Sequence, residues 1–131
     1  MILSIFFFQL AAICNAVMDT ITHHWDESIF DKPKGEISKW DMWWNPEYSW
    51  INKYTDRDSS KPIRKILGIF DVPFTDAWHT FKSTMIILLA LSVLTFNYSG
   101  NILGYSMLLI VYGFAWNLPF NLFYNRLLIK K

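Results

Sequence analysis

The sequence predicts an all-α integral membrane protein: three transmembrane helices, with an aromatic-rich, partly helical cytoplasmic cap between the first and the second. Three observations carry this. Residues 1–18 and 83–125 contain no Asp, Glu, Lys or Arg, and apolar runs of this length are membrane-span candidates. The chain of 131 residues is 53% hydrophobic but only 18% charged, below the roughly 25% of soluble domains. All twelve Lys and Arg fall within residues 32–82 or after Asn125, which places every cation on one side of a three-span topology.

The first span is read as residues 2–24. A secretory leader would need a basic flank ahead of its apolar core and a small-residue cleavage site. No Lys or Arg precedes this run, so the helix is expected to be retained. Residues 25–73 form the cap. Its polar, turn-rich ends, 31–36 and 54–62, flank a segment with Trp40, Trp43, Trp44, Tyr48, Trp50 and Tyr54. Residues 63–70 are a short apolar run carrying Arg64 and Lys65.

The uncharged stretch 83–125 is too long for one crossing, and Asn97-Tyr-Ser-Gly-Asn101 is a turn signal within it. Two spans follow, residues 75–97 and 101–125. Pro73 blocks helix upstream, Thr75 suits an N-cap, and Asp76 complements the first turn. Pro119 is expected to kink or end the third helix, with residues 120–128 continuing along the membrane surface. The single cysteine, Cys14, excludes an internal disulfide and a cysteine-built zinc cage. A net charge of +1 gives no case for nucleic acid as a partner.

With three spans the termini lie on opposite sides. The positive-inside rule then puts the cap and the C-terminus in the cytoplasm, with the N-terminus and the 97–101 loop outside. All seven Trp, Trp25 to Trp116, fall on the cytoplasmic side in this reading, as an interfacial belt does.

Ionisable residues at the ends of membrane helices are costly unless paired, and so mark candidate sites. Asn15, Asp19 and His23 share one helical stripe at i, i+4 and i+8, and His24 follows. Asp76 and His79 share a face at i, i+3. Asn117 and Asn121 are spaced i, i+4 near the end of the third span. Topology puts all of them near one membrane depth. One reading is a site for one divalent metal, zinc, iron or manganese, ligated by Asp19, His23, Asp76 and His79, because imidazole and carboxylate suit those ions. Asn15, His24, Lys53, Asn117 and Asn121 would then be supporting or substrate contacts, and a metal-activated water would attack a substrate at the lipid interface. A second reading is a polar network that locks the helices together without metal. A third leaves the histidines as ordinary interfacial residues. Asp56-Arg-Asp58 lacks the Gly and distal Glu of a calcium loop. Lys61-Pro-Ile-Arg-Lys65 suits anionic headgroups.

Three segments, Asn15-Ala-Val-Met-Asp-Thr20, Trp44-Asn-Pro-Glu-Tyr-Ser-Trp-Ile-Asn-Lys-Tyr54 and Thr75-Asp-Ala-Trp-His79, resemble the pattern of a family of small bacterial and phage-borne membrane proteins without an assigned activity. The resemblance spans roughly residues 10–85. It implies that Asp19, Asn52, Lys53, Tyr54, Asp76 and His79 belong to that pattern, and it supplies no chemistry.

Two function classes stand. One is a metal-dependent hydrolase of a membrane-interface substrate. The other is a non-catalytic subunit of a membrane assembly, an envelope complex or a lipid-containing virion, with the aromatic cap as docking surface. The partners expected are the lipid bilayer and other membrane proteins, a second copy of the chain included.

The orientation is tested by single cysteines at positions 53 and 99, exposed to a membrane-impermeant thiol reagent in intact cells. Position 99 should label and position 53 should not; the reverse pattern inverts the topology.

Overall fold

The computed structural model describes residues 1–32, 37–66, 69–70 and 72–131. Three helices are long and apolar enough to cross a membrane. The first, α1 (Ile2–His23), has 22 residues and so runs about 33 Å. In the cap, α2 (Asp41–Trp44) and α3 (Pro46–Ser49) are single turns, and β1 (Lys65–Ile66) pairs antiparallel with β2 (Ile69–Phe70). Helix α4 (Ala77–Leu94) returns, and α5 (Ile102–Leu122) runs into a π-turn over Phe123–Leu127.

Helix α1 is the inner element. Its apolar window is 39% buried inside the protein, against 11% for α4 and 6% for α5. The reason lies in side-chain size. Ala11, Ala12 and Ala16 are each 0% exposed, and small residues let helix backbones approach where lipid supplies no hydrophobic drive between them. Both α4 and α5 pack on α1. Thr20 and Thr22 donate their hydroxyls to the Ala16 and Met18 carbonyls, which satisfies them within their own helix.

Near the Met1 end of the bundle, a polar cross-tie joins all three spans. Ser4 Oγ donates to the Ser92 carbonyl at 2.7 Å, and Ser92 Oγ donates back to the Ser4 carbonyl at 2.9 Å. With both serine protons committed, the Tyr112 hydroxyl donates to Ser4 Oγ. Ser4 and Ser92 are buried. This knot was not anticipated from the sequence, because single serines in apolar runs announce no partner.

At the opposite end the cap sits on the helix termini. The Phe30 ring stacks on Trp44, 4.3 Å between centroids and 8° between planes. Trp40 Nε1 donates to the Phe30 carbonyl at 2.7 Å, and Trp44 meets Phe81 of α4. These rings surround a buried cluster of Ala16, Val17, Ile21, Phe30, Ala77 and Leu128. Of the cap aromatics, Trp40, Trp43 and Trp44 pack on this core, while Trp50 is 46% exposed. Within it, the Asn45-Pro46 pair of the Trp-Asn-Pro segment starts α3: the Asn45 side chain caps Glu47 N–H at 2.9 Å, with proline at the first helical position. Ser38 similarly starts the turn at α2, and its hydroxyl and N–H hold the Asp41 carboxyl below the usual carboxylate range.

Four sequence expectations are corrected. Helix α4 begins at Ala77, two residues later than read, because Asp76 rather than Thr75 is the N-cap, and it ends at Leu94 rather than 97. Pro119 lies inside α5 and does not end it; proline is tolerated more readily in membrane helices than in soluble ones. The helical continuation read over residues 120–128 is present only to Leu127; there the chain turns onto the cap, where the Leu128 carbonyl accepts Ile29 N–H at 2.9 Å and Lys130 N–H donates to the Glu27 carbonyl at 2.7 Å. Trp116 packs on Phe8 at 5.2 Å, in the middle of the bundle and apart from the other six Trp. Most of the turn read at residues 31–36 lies outside the described residues.

Tyr112→Phe removes one donor from the cross-tie. Stability in bicelles should fall by about 0.6–1.7 kcal/mol, the range measured for interhelical hydrogen bonds in membranes, readable by steric trapping. Ser92→Ala in the Tyr112→Phe background should cost less than the two single losses summed, because the groups share one network.

Candidate functional site

Asp76 is the most committed polar group in the protein. Its carboxylate is 2% exposed. Oδ1 accepts His79 N–H at 2.9 Å, completing the N-cap of α4. Oδ2 faces His79 Nδ1 at 2.7 Å and accepts from the Thr75 hydroxyl at 3.2 Å. The i, i+3 spacing produces this directly. The cap residue lies one turn before the histidine, so one carboxylate serves both the backbone and the ring.

The α1 half of the predicted constellation is built separately. Asn15 Nδ2 donates to Asp19 Oδ2 at 3.2 Å along one helix face. His23 is exposed. His24 turns to Glu27 at 3.4 Å and edge-on to Tyr124. Among the described residues no hydrogen bond joins the Asn15–Asp19 pair to the Asp76–His79 pair, and no group of three His, Cys, Asp or Glu is close enough to hold a metal ion. Lys53 lies over the Tyr54 ring at 5.3 Å in the cap.

Asn117 and Asn121 do not face the bundle interior. Both are exposed on α5, a placement that the shared-depth argument cannot reach, since depth says nothing about helix rotation. Asn117 Nδ2 donates to the Gly113 carbonyl and Asn121 Nδ2 to the Asn117 carbonyl, each at 2.8 Å. Asn125 Nδ2 donates to Asn121 Oδ1 at 3.0 Å. Gly113, Asn117, Asn121 and Asn125 thus make one stripe, i to i+12, on the outer face of α5. A Cβ at Gly113 would meet nothing within 4 Å. Exposed Ile110, Phe114, Leu118 and Leu122 flank the stripe. Gly113 and Asn125 were absent from the sequence-based set. Their signal was the four-residue period itself, continued in both directions from Asn117 and Asn121.

No protein family, curated protein or solved structure matches the chain.

Two substitutions separate the parts of the Asp76 arrangement. His79→Ala should cost about 1–3 kcal/mol, because the buried Asp76 Oδ2 loses its imidazole partner and keeps only the Thr75 hydroxyl. Asp76→Ala should cost more, about 2–4 kcal/mol, because it also deletes the N-cap of α4. Steric trapping in bicelles measures both; equal losses would show that the cap contributes nothing.

Proposed function

We propose that this chain is a non-catalytic subunit of a membrane assembly, and that it associates through the Gly113–Asn125 face of α5, pairing with the same face of a second copy. The exposed asparagine stripe carries the reading. Asn117 lies well inside a 26-residue apolar span, Ile102–Leu127, about 15 Å from its C-terminal end at 1.5 Å per residue. An amide facing lipid at that depth has no water to bond. Its cost is relieved by another amide across a helix pair.

The occupant follows from chemistry. A carboxamide is donor and acceptor at once, so an asparagine stripe is its own complement under a two-fold axis. Among the described residues the Asn117 Oδ1 takes no hydrogen bond within the chain, which leaves an acceptor for the partner's amide. Gly113 permits backbone approach at one end of the contact.

The rival reading, a metal-dependent hydrolase using Asp19, His23, Asp76 and His79, is favoured less by the geometry. Both Asp76 oxygens are engaged by groups of its own helix and by Thr75. Elemental analysis of purified protein measures it directly, and one zinc, iron or manganese per chain would restore it.

Cysteine replacing Gly113 should form a disulfide dimer under mild oxidation in native membranes, in a background with Cys14→Ser. Cysteine at Ile87, exposed on α4, should not. Asn117→Leu with Asn121→Leu should weaken self-association by about 1–2 kcal/mol per lost amide pair, read by energy transfer between labelled copies in liposomes. Cross-linking of position 113 to a different protein would replace the second copy by that partner; a monomer throughout would end the proposal.

A further inference from the structure

A hollow lies in the cap, separate from the helix contacts above. It has a volume of about 470 Å³, and its lining includes Lys39, Trp43, Asn52, Arg57, Arg64 and Phe74. That volume is within the roughly 300–1,000 Å³ range of ligand sites. Its wall combines three cations with apolar and aromatic side chains, and among the described residues no Asp or Glu lines it. We infer that this hollow binds a phosphate ester, with Lys39 and Arg57 as its anion-binding residues.

Three observations converge on it. Lys39 and Arg57 form no ion pair among the described residues, so two cations face one concavity without a counter-charge of their own. Arg57 reaches the hollow from a left-handed backbone. Asp56 and Arg57 adopt φ of 52° and 57°, a conformation that non-glycine residues hold only where surrounding contacts impose it. Those contacts are present: Thr55 N–H and hydroxyl both bond the Pro62 carbonyl, at 3.1 and 3.0 Å, and Lys61 pairs with Asp56 at 2.8 Å. The loop is closed on itself and carries Arg57 at its tip. Finally, Asn52 lines the hollow and is 7% exposed; its Nδ2 bonds the Met42 carbonyl, and among the described residues its buried Oδ1 has no partner. A buried acceptor left open is rare and calls for a donor from outside the chain. A hydroxyl beside the phosphate meets that need.

The place of the hollow narrows the source. Phe74, 70% exposed, stands at its edge, three residues before α4 begins. The hollow therefore opens where a span leaves the apolar layer, at headgroup level. A glycerol-bearing anionic headgroup and a soluble phosphorylated metabolite share the chemistry of phosphate plus hydroxyl, and the two are separable by experiment.

Protein in detergent is mixed with equal amounts of phosphatidylglycerol and phosphatidylcholine, and retained lipid is read by native mass spectrometry. In parallel, glycerol phosphate is titrated while tryptophan fluorescence is followed, with Trp43→Phe as the control for its origin. Preferential retention of phosphatidylglycerol assigns the site to a headgroup; a saturable fluorescence response to glycerol phosphate without lipid preference assigns it to a soluble ester. In either case Lys39→Gln with Arg57→Gln should weaken binding on the order of tenfold or more. The charge-matched pair Arg126→Gln with Lys131→Gln, away from the hollow, should leave binding unchanged. Equal weakening by both pairs would reduce the effect to diffuse surface charge and overturn the site, as would the absence of any response to lipid and ester alike.

Discussion

The close approach of α1 to its neighbours is the constraint on which the remaining structure depends. Lipid tails are as apolar as leucine, so burying large side chains between membrane helices gains little, and contact must come from shape and hydrogen bonds. Ala11, Ala12 and Ala16 remove the side-chain bulk that would hold backbones apart. That proximity brings Ser4 within reach of the Ser92 carbonyl and Ser92 within reach of the Ser4 carbonyl. The exchange needs each hydroxyl to meet the other helix's backbone.

The two ends of the bundle solve different problems. The Met1 end is tied by three hydroxyls in an apolar setting, where each proton has one assigned acceptor. The cap end is tied by aromatic stacking and by a carboxylate. Asp76 starts α4, orients His79 and accepts from Thr75, so one buried charge organises the junction where a helix enters the bundle. The C-terminal tail closes over the same region through its backbone contacts with residues 27–29. The C-terminal tail, the cap, the end of α1 and the start of α4 therefore share one small core around Ile21 and Ala77.

The outward surface of α5 contrasts with this economy. The buried hydroxyls of the cross-tie each meet a partner inside the bundle, whereas the Asn117–Asn125 amides bond mainly along their own helix and keep capacity to spare. The bundle's serine and tyrosine hydroxyls are matched inside it, while one exposed face of α5 carries a line of carboxamides with hydrogen-bonding capacity left over.

Much of the architecture is legible in the chain itself. Uncharged runs, the Tyr-Ser-Gly turn and the position of Asp76 mark three spans and place their ends within a few residues, because length and hydropathy are local properties. The Asp76–His79 pairing is legible for the same reason, since i, i+3 neighbours on one helix meet without help from the rest of the fold. Rotation of one helix against another is not local. It decides that Asn117 and Asn121 face out, that His23 is exposed, that Trp116 sits on Phe8, and that Trp44 of the cap turns inward onto Phe30 and Phe81. Helices of nearly uniform apolarity carry no polar face to set that rotation, so packing of small residues against α1 sets it, and with it which polar groups meet.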